Sequence, residues 1–196
     1  MRNIVVAEFI SLDGVIQAPG GADEDTDGGF MHGGWTHPYW HDDIGVHFFE
    51  AMQESDALLL GRKTWQIHGS AFEPMPDGDP FGDVMNTIPK YVVSTTLTTP
   101  AAWRNSTLIR DNVVEQVRAL KAQPGKTILI DGSSVLVHTL VQQDLVDEYR
   151  LHVYPVVLGG GKRLFPDGVR VNLRRIEAKP LPSGVTLMRY VPDRAA

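Results

Sequence analysis

A chain of 196 residues, of which 42% are hydrophobic and 21% charged, is expected to fold as one globular domain over residues 1–196. A net charge of −6 and the lack of a lysine- and arginine-rich stripe argue against binding to nucleic acid or to an anionic membrane, so we expect a small-molecule partner. The absence of cysteine excludes disulfides, thiolate catalysis and cysteine-ligated metal centres. No apolar run reaches the roughly 20 residues that span a bilayer, and we expect a cytoplasmic protein.

Strand-like and helix-like patterns alternate along the chain. The strands are predicted at residues 4–10, 57–60, 90–95, 106–110, 126–131 and within 146–158. The helices are predicted at residues 44–55, after Gly61, from Asn112 (with Glu115 at the capping-box spacing) to Pro124, and after Ser133 or Ser134. This alternation indicates an α/β domain with a mostly parallel central sheet, and residues 172–191 are typical of a closing antiparallel hairpin.

Two long segments, residues 17–43 and 69–83, have no clear period. Long irregular segments in a compact domain are usually either disordered or functional. For the first segment we favour function, because its large aromatic side chains are unfavourable in water and are expected to fold onto a pocket. These side chains are Phe30, Trp35, Tyr39 and Trp40.

Three of the predicted strands end in polar segments. The segments are residues 62–64 (RKT), 94–96 (STT) and 131–134 (DGSS). Ligands collect at the carboxyl ends of the strands in an open α/β sheet, so the three segments are expected to share one site. Hydroxyl groups and helix N-termini suit the phosphates of a dinucleotide, and Arg62 with Lys63 suits an additional 2′-phosphate. Each segment taken alone is better explained as a helix cap or a turn, so the prediction depends on their occurring together.

Several well-defined motifs are absent. No G-x-G-x-x-G opens a helix after a strand and no G-x-x-x-x-G-K-[ST] occurs, which disfavours a standard Rossmann domain and a P-loop nucleotide triphosphatase. Imidazole and carboxylate groups that could ligate zinc or iron do cluster, but their spacing matches no ligand motif, and no metal is predicted. These residues are His32, His37, His41, Asp42, Asp43 and His47.

Three stretches carry a resemblance to a known family. “LLLGRKTW”, “YVVSTTL” and “ILIDGSSVLVHTLVQQDLVDEYRLHVYPVVLGGGKRLF” resemble parts of dihydrofolate reductases. The similarity is closest to the C-terminal reductase domain of bifunctional riboflavin-biosynthesis deaminase/reductase enzymes and to its single-domain relatives. The resemblance implies a dihydrofolate reductase-like α/β fold, with a mostly parallel central sheet flanked by helices and a C-terminal antiparallel hairpin. It also implies a homodimer.

The resemblance further implies NADPH as the cofactor. The residues that would hold its pyrophosphate and 2′-phosphate are Gly61, Arg62, Lys63 and Thr64, and those along its adenosine side are Ser94, Thr95 and Thr96. The turn and helix start beneath the pyrophosphate and nicotinamide would be formed by Asp131, Gly132, Ser133, Ser134, Val135 and Leu136.

The riboflavin-type reaction transfers a hydride to a C=N or C=O carbon of a ribosylamino-pyrimidine phosphate, 5-amino-6-(5-phosphoribosylamino)uracil. We predict that Trp35, Tyr39 and Trp40 close over its flat ring. Asp13, which the resemblance implies is near the nicotinamide and the substrate, is the candidate for proton handling. Its alternative role is that of a turn residue before Gly14.

The chain departs from dihydrofolate reductases at two positions. Aligned from Gly61 without gaps, Gly45 stands where those enzymes carry the carboxylate that protonates the pterin, and Gly132-Ser133 stands where they carry Gly-Gly. A dihydrofolate or pterin substrate is therefore the second hypothesis within the reductase class. A non-catalytic nucleotide-binding protein with the same fold is the hypothesis from another class.

Overall fold

The fold is built on an eight-stranded sheet. The computed structural model describes residues 1–194, so residues 195–196 of the predicted domain lie outside the described part. The strands are β1 (Asn3–Ser11), β2 (Ser55–Gly61), β3 (Lys90–Val93), β4 (Ser106–Ile109), β5 (Thr127–Ile130), β6 (Glu148–Tyr154), β7 (Leu173–Pro180) and β8 (Thr186–Pro192). Their order is β4-β3-β2-β5-β1-β6-β8-β7. The strands β1 to β6 pair in parallel, and β8 is antiparallel to β6 and β7. The predicted mostly parallel sheet and C-terminal hairpin are confirmed.

Helices cover both faces of the sheet. They are α1 (Asp42–Gln53), α2 (Arg62–Phe72), α3 (Pro80–Thr87), α4 (Val113–Ala122) and α5 (Ser134–Gln142). Because successive side chains of a strand point to opposite faces, β1 divides the core in two. Ile4 and Val6 pack with α4 and α5, whereas Val5 and Ala7 pack with α1, α2 and α3. No helix in residues 1–194 is long and apolar enough to cross a membrane.

Two local predictions are wrong. Residues 69–83 are not irregular throughout, since they include the last turn of α2 and the start of α3. Helix α3 was missed because it begins with a proline that follows an aspartate, and both residues are typical of a helix start. Pro80 is its first residue, and the carboxylate of the N-cap residue Asp79 accepts hydrogen bonds from two backbone N–H groups. Asn112 does not cap α4 through its side chain, because it adopts a left-handed conformation with φ 46°.

The segment 17–43 is ordered by its own core. It contains two short 3₁₀ turns, Asp27–Gly29 and His37–Tyr39, and ends in the first two residues of α1, and the rest of its backbone is irregular. Phe30 and Trp35 are buried in a third hydrophobic cluster against Tyr154 of β6. The Trp35 indole N–H donates to the Gln17 carbonyl oxygen at 2.8 Å, which satisfies its polar atom. The aromatic residues therefore fix this loop against the end of the sheet.

Candidate active site

A cavity of about 620 Å³ opens at the carboxyl ends of the central strands. Its walls come from β1, from the turns after β2, β3 and β5, and from α1, β6 and β8. The cofactor residues predicted from sequence that line it are Arg62, Lys63, Thr64, Ser94, Thr95, Thr96, Asp131, Gly132, Ser133, Ser134 and Val135. The three polar strand ends therefore lie at one site.

Two helix N-termini at this cavity have no side-chain cap. Helix α2 begins after Gly61 and α5 begins after Ser133, and neither N-cap residue makes a capping hydrogen bond through a side chain. The first turn of a helix has unpaired N–H groups and a partial positive charge. Each N-terminus is thus suited to an anionic group such as a phosphate.

The turns before these two helices touch each other through glycine. The Gly61 N–H donates to the Gly132 carbonyl oxygen at 3.2 Å, and the Gly132–Ser133 peptide bond is cis. A Cβ atom at Gly61 would collide with the Ser133 hydroxyl, and one at Gly132 would lie 2.5 Å from the Thr64 hydroxyl. Glycine is required at both positions because the two turns approach so closely.

A cluster of four charges joins the segment 17–43 to the mouth of α2. The Lys63 Nζ lies 2.6 Å from both the Asp25 and Asp27 carboxylates, and the Lys162 Nζ lies 2.6 and 2.7 Å from the same two groups. Hydrogen bonds from Lys162 and Lys63 lower the pKa of Asp27 to about 2. Lys63, which was predicted to contact phosphate, is therefore already paired with acidic residues of the loop.

A second ion pair lies beneath the turn after β5. The His68 Nε2 of α2 is 2.7 Å from an Asp131 carboxylate oxygen, and the Asp131 side chain is only 8% exposed. Burial alone would lower the pKa of His68, but the charge of Asp131 and their hydrogen bond outweigh it and raise that pKa. This pair fixes the first residue of the turn that leads into α5.

Sequence reasoning missed Glu8, a buried acid in the cavity wall. Glu8 is 8% exposed, and its Oε1 has no hydrogen-bond partner within residues 1–194. Burial raises its pKa well above the ordinary value, and the negative charges of Asp131 and Glu24 raise it further. The sequence feature that could have identified Glu8 is its position as an acidic residue within the apolar run “IVVAEFI”.

The far half of the cavity lies between α1 and the strands β6 and β8. His152 of β6 is 4% exposed there, and its Nε2 has no partner within the described residues. Burial and the neighbouring His47 lower the pKa of His152 to about 4, so its imidazole is neutral at pH 7. Arg150 and Arg189 also line this half, and both bind the Glu148 carboxylate, at 2.8 and 2.7 Å.

Comparison with known proteins establishes the family. Residues 2–187 match the sequence profile of the RibD C-terminal domain. The chain belongs to the RibD C-terminal domain family. Among its relatives in Bacillus subtilis (strain 168), YyaP is 32% identical over 96% of this chain and 94% of its own length. YwjB is 28% identical over 97% of this chain and 98% of its own length.

Solved structures of other proteins share the fold of this RibD C-terminal domain. A Shewanella sp. PV-4 protein, named for a suggested part in riboflavin biosynthesis, has a TM-score of 0.75 at 24% identity, covering 98% of this chain and 99% of its own. A pyrimidine reductase-like protein from Corynebacterium diphtheriae has a TM-score of 0.67 at 13% identity, covering 98% and 92%. Dihydrofolate reductase from Enterococcus faecalis, complexed with NADP(H), has a TM-score of 0.63 at 16% identity, covering 97% and 96%. The predicted dihydrofolate reductase-like fold is confirmed.

The three predicted substrate-binding aromatics of this RibD C-terminal domain do not line the cavity. Trp35 and Tyr39 pack edge-on against Tyr154, at centroid distances of 5.2 and 6.0 Å, and Trp40 is 55% exposed. The physical reason is that Tyr154 at the end of β6 offers these rings an apolar partner outside the cavity. Leu136, predicted at the cofactor, is likewise outside the cavity wall and 4% exposed in the core.

Asp13 lies outside the cavity wall and organises a loop. Its carboxylate accepts hydrogen bonds from the Ser11 hydroxyl at 2.7 Å and from the Leu158 and Gly159 N–H groups at 3.1 and 2.8 Å. Burial opposes its ionisation, but these hydrogen bonds lower the pKa of Asp13 to about 2. An acid that is ionised at neutral pH is unsuited to donate a proton, so the geometry favours the turn role that was its alternative.

The histidines of the segment 32–47 have separate partners. The His37 Nε2 lies 2.8 Å from the Gly20 carbonyl oxygen, His41 accepts a hydrogen bond from the Asp43 N–H, and His47 bonds to Glu50. Within residues 1–194, no three His, Asp or Glu side chains are grouped as a metal site would require.

Proposed function

We propose that this protein is an NADPH-dependent reductase of the riboflavin-biosynthesis type. It transfers a hydride to the C=N or C=O carbon of a ribosylamino-pyrimidine phosphate whose ribosyl group has opened to an imine or carbonyl, and the first candidate substrate is 5-amino-6-(5-phosphoribosylamino)uracil. The observation that carries the proposal is the convergence of the uncapped N-termini of α2 and α5 on one wall of the cavity. Membership of the RibD C-terminal domain family supports the same reaction class.

The cofactor half of the cavity fits a dinucleotide phosphate. The close approach of Gly61 and Gly132 leaves backbone and hydroxyl groups, with no bulky side chain, between the two helix starts. Arg62 lines the same wall with its guanidinium hydrogen-bonded to Gln66 at 2.9 Å, and it suits a 2′-phosphate. Ser94, Thr95 and Thr96 add hydroxyl groups along the adenosine side.

NADPH, when bound, supplies a hydride, which carries both electrons to the substrate carbon. The residues of the chain orient the two partners and exclude water from the reacting atoms. The substrate then lies in the far half of the cavity, where the unpartnered Nε2 of His152 is available to a polar edge of the ring. A substrate with a heterocyclic ring needs such a polar contact because a buried ring nitrogen without a partner is unfavourable.

A pterin substrate is less well supported. Helix α1 carries Gly45 at the position of the carboxylate in dihydrofolate reductases, and a Cβ atom there would lie 3.5 Å from the Trp40 ring. Glu50 of α1 and Glu54, the residue that follows the helix, instead line the cavity wall, and Glu54 is paired with Arg150 at 2.7 Å.

The proposal is tested by calorimetric titration with NADPH and, separately, NADH at moderate salt. We expect tighter binding of NADPH, and we expect Arg62→Ala to weaken NADPH by roughly tenfold to a hundredfold while changing NADH little, because the lost contact is to the 2′-phosphate. Arg174→Ala, an exposed arginine on β7, is the matched control. Equal losses for both cofactors would remove the 2′-phosphate role of Arg62.

Turnover separates the remaining hypotheses. NADPH oxidation with the ribosylamino-pyrimidine phosphate is expected, and oxidation only with dihydrofolate would favour the pterin alternative. Tight NADPH binding without turnover of either compound would favour a non-catalytic nucleotide-binding protein.

A further inference from the structure

Glu8 lies where the sheet opens into the cavity. The pairing of β1 with β5 ends at Val6 and Ile130, whereas its pairing with β6 continues to Ser11. From Ala7 onward, β1 therefore has no strand neighbour on the β5 side. The turn at Gly132 and Ser133 follows the end of β5, and both this turn and Glu8 line the cavity.

The surroundings of Glu8 disfavour a carboxylate ion. The side chain is buried, and its Oε1 has no hydrogen-bond partner within the described residues. Among the same residues, no lysine, arginine or histidine forms an ion pair with it. The acids around it are Asp131, which is held by His68, and Glu24. The lysines of the cavity, Lys63 and Lys162, are each bound to both Asp25 and Asp27. A buried carboxyl group without a cation is most stable when protonated.

The other carboxyl groups considered in the cavity wall are ion-paired or exposed to solvent. Asp131 is in an ion pair with His68, and the Glu50 and Glu54 side chains are 57% and 58% exposed. His152 is neutral at pH 7 because burial lowers its pKa to about 4. Glu8 is thus the one buried carboxyl group of the wall that combines a raised pKa with an oxygen left without a partner within residues 1–194.

We propose that Glu8 is the catalytic acid, whose carboxyl group donates a proton to the substrate nitrogen as the adjacent carbon is reduced. This role rests on the proposed function. When hydride adds to the carbon of a C=N group, the π bond breaks and its electron pair moves to nitrogen. The nitrogen takes the Glu8 proton, so an N–H bond forms as the O–H bond breaks. Glu8 is left as a carboxylate and regains a proton from water, and each turnover consumes one NADPH and one proton.

The protonation state of Glu8 is measured without substrate or cofactor. Protein labelled with ¹³C at the glutamate carboxyl groups is titrated by NMR, and the signal lost in Glu8→Gln and in Glu8→Asp identifies Glu8. We expect the titration midpoint of this carboxyl group to lie well above that of an ordinary glutamate. A Glu8 signal that is already ionised at about pH 5, as for an ordinary glutamate, would overturn the assignment. Glu115→Gln, on the exposed face of α4, is the matched control.

Stability gives a second readout. A glutamate whose folded pKa exceeds its unfolded value of about 4.3 stabilises the protein fully below that value, and the contribution is lost as the pH rises toward the folded pKa. The free energy of unfolding of the wild-type protein should therefore fall relative to that of Glu8→Gln as the pH rises above about 4.3. A constant difference between the two proteins would contradict a protonated Glu8.

Turnover then tests the catalytic role. With the ribosylamino-pyrimidine phosphate, Glu8→Gln should bind NADPH with unchanged affinity and lose about a hundredfold or more in rate, and Glu8→Asp should recover part of it. Equal rates and equal pH profiles for the wild-type protein and Glu8→Gln would overturn the role of Glu8 while leaving the proposed function intact. A lack of turnover by the wild-type protein counts against the proposed function, and the NMR titration then decides whether Glu8 is an acid.

Discussion

At the scale of single residues, the site is defined by which polar groups have partners. Lys63 is held by two carboxylates, and one oxygen of Asp131 is paired with His68. The other Asp131 oxygen, Glu8 and His152 each present a buried atom without a partner in the described residues. A buried polar atom without a partner is unfavourable, and a ligand that supplies the missing hydrogen bond gains binding energy. The unpartnered atoms that line the cavity are therefore where we expect a ligand to make polar contacts.

The ion pair between His68 and Asp131 predicts a pH dependence of stability. Because the pKa of His68 is raised in the folded protein, its ion pair contributes to the free energy of unfolding fully below the unfolded pKa of about 6.5. This contribution is lost as the pH rises through the pKa of the folded protein. We expect His68→Gln to lower the free energy of unfolding by about 1.5–3 kcal/mol at acidic pH, and by less at alkaline pH. Urea unfolding across this pH range measures the difference. His32→Gln, in the exposed part of the loop, is the control, and an equal loss at every pH would contradict the assignment.

At the scale of elements, the segment 17–43 closes one side of the cavity through charge. The carboxylates of Asp25 and Asp27 form ion pairs with Lys63 and Lys162 near the N-terminus of α2. This is close to where a phosphate is proposed to bind. The loop and an anionic ligand therefore compete for Lys63. The aromatic cluster around Trp35 anchors the rest of the loop independently of these charges.

Removal of one acid from this cluster should strengthen cofactor binding. We expect Asp27→Asn to lower the Kd for NADPH by roughly twofold to fivefold, because the exposed Asp27 competes with phosphate for Lys63 and Lys162. Calorimetric titration measures the effect, which should shrink at high salt. Asp23→Asn, an exposed acid of the same segment, is the control. If Asp27→Asn instead bound NADPH more weakly, the carboxylates of Asp25 and Asp27 would be needed to hold the loop in its binding conformation, and the competition would be disproved.

At the scale of the whole molecule, the mostly parallel sheet brings distant segments to one edge. The turns after β2, β3 and β5 are separated by about 30 to 40 residues each along the chain, yet all contribute to one cavity. The antiparallel hairpin of β7 and β8 extends the sheet beyond β6 and adds Glu177, Leu187 and Arg189 to the cavity wall.

The homodimer that the family resemblance implies stays a prediction. The hairpin ends the sheet with β7, whose Ile176 is 44% exposed, and an apolar side chain on an exposed edge strand suits contact with a second copy. Sedimentation of the wild-type protein is expected to give the mass of two chains. Ile176→Lys should shift that mass toward one chain, while Val157→Lys, at an exposed valine outside β7, should not. A wild-type protein that sediments with the mass of one chain at every concentration tested would show that the homodimer prediction is wrong.

The sheet, the helices after Gly61 and Ser133, and the meeting of the three polar strand ends were predictable from the amino-acid pattern. These features depend on local periodicity and on the general geometry of parallel strands. The contacts of the folded chain were needed to show that Trp35 and Tyr39 pack on Tyr154 outside the cavity, that Asp25 and Asp27 hold Lys63, and that Glu8 lines the cavity. Burial, ion pairing and pKa depend on contacts between residues far apart in the chain, and neither composition nor periodicity records those contacts.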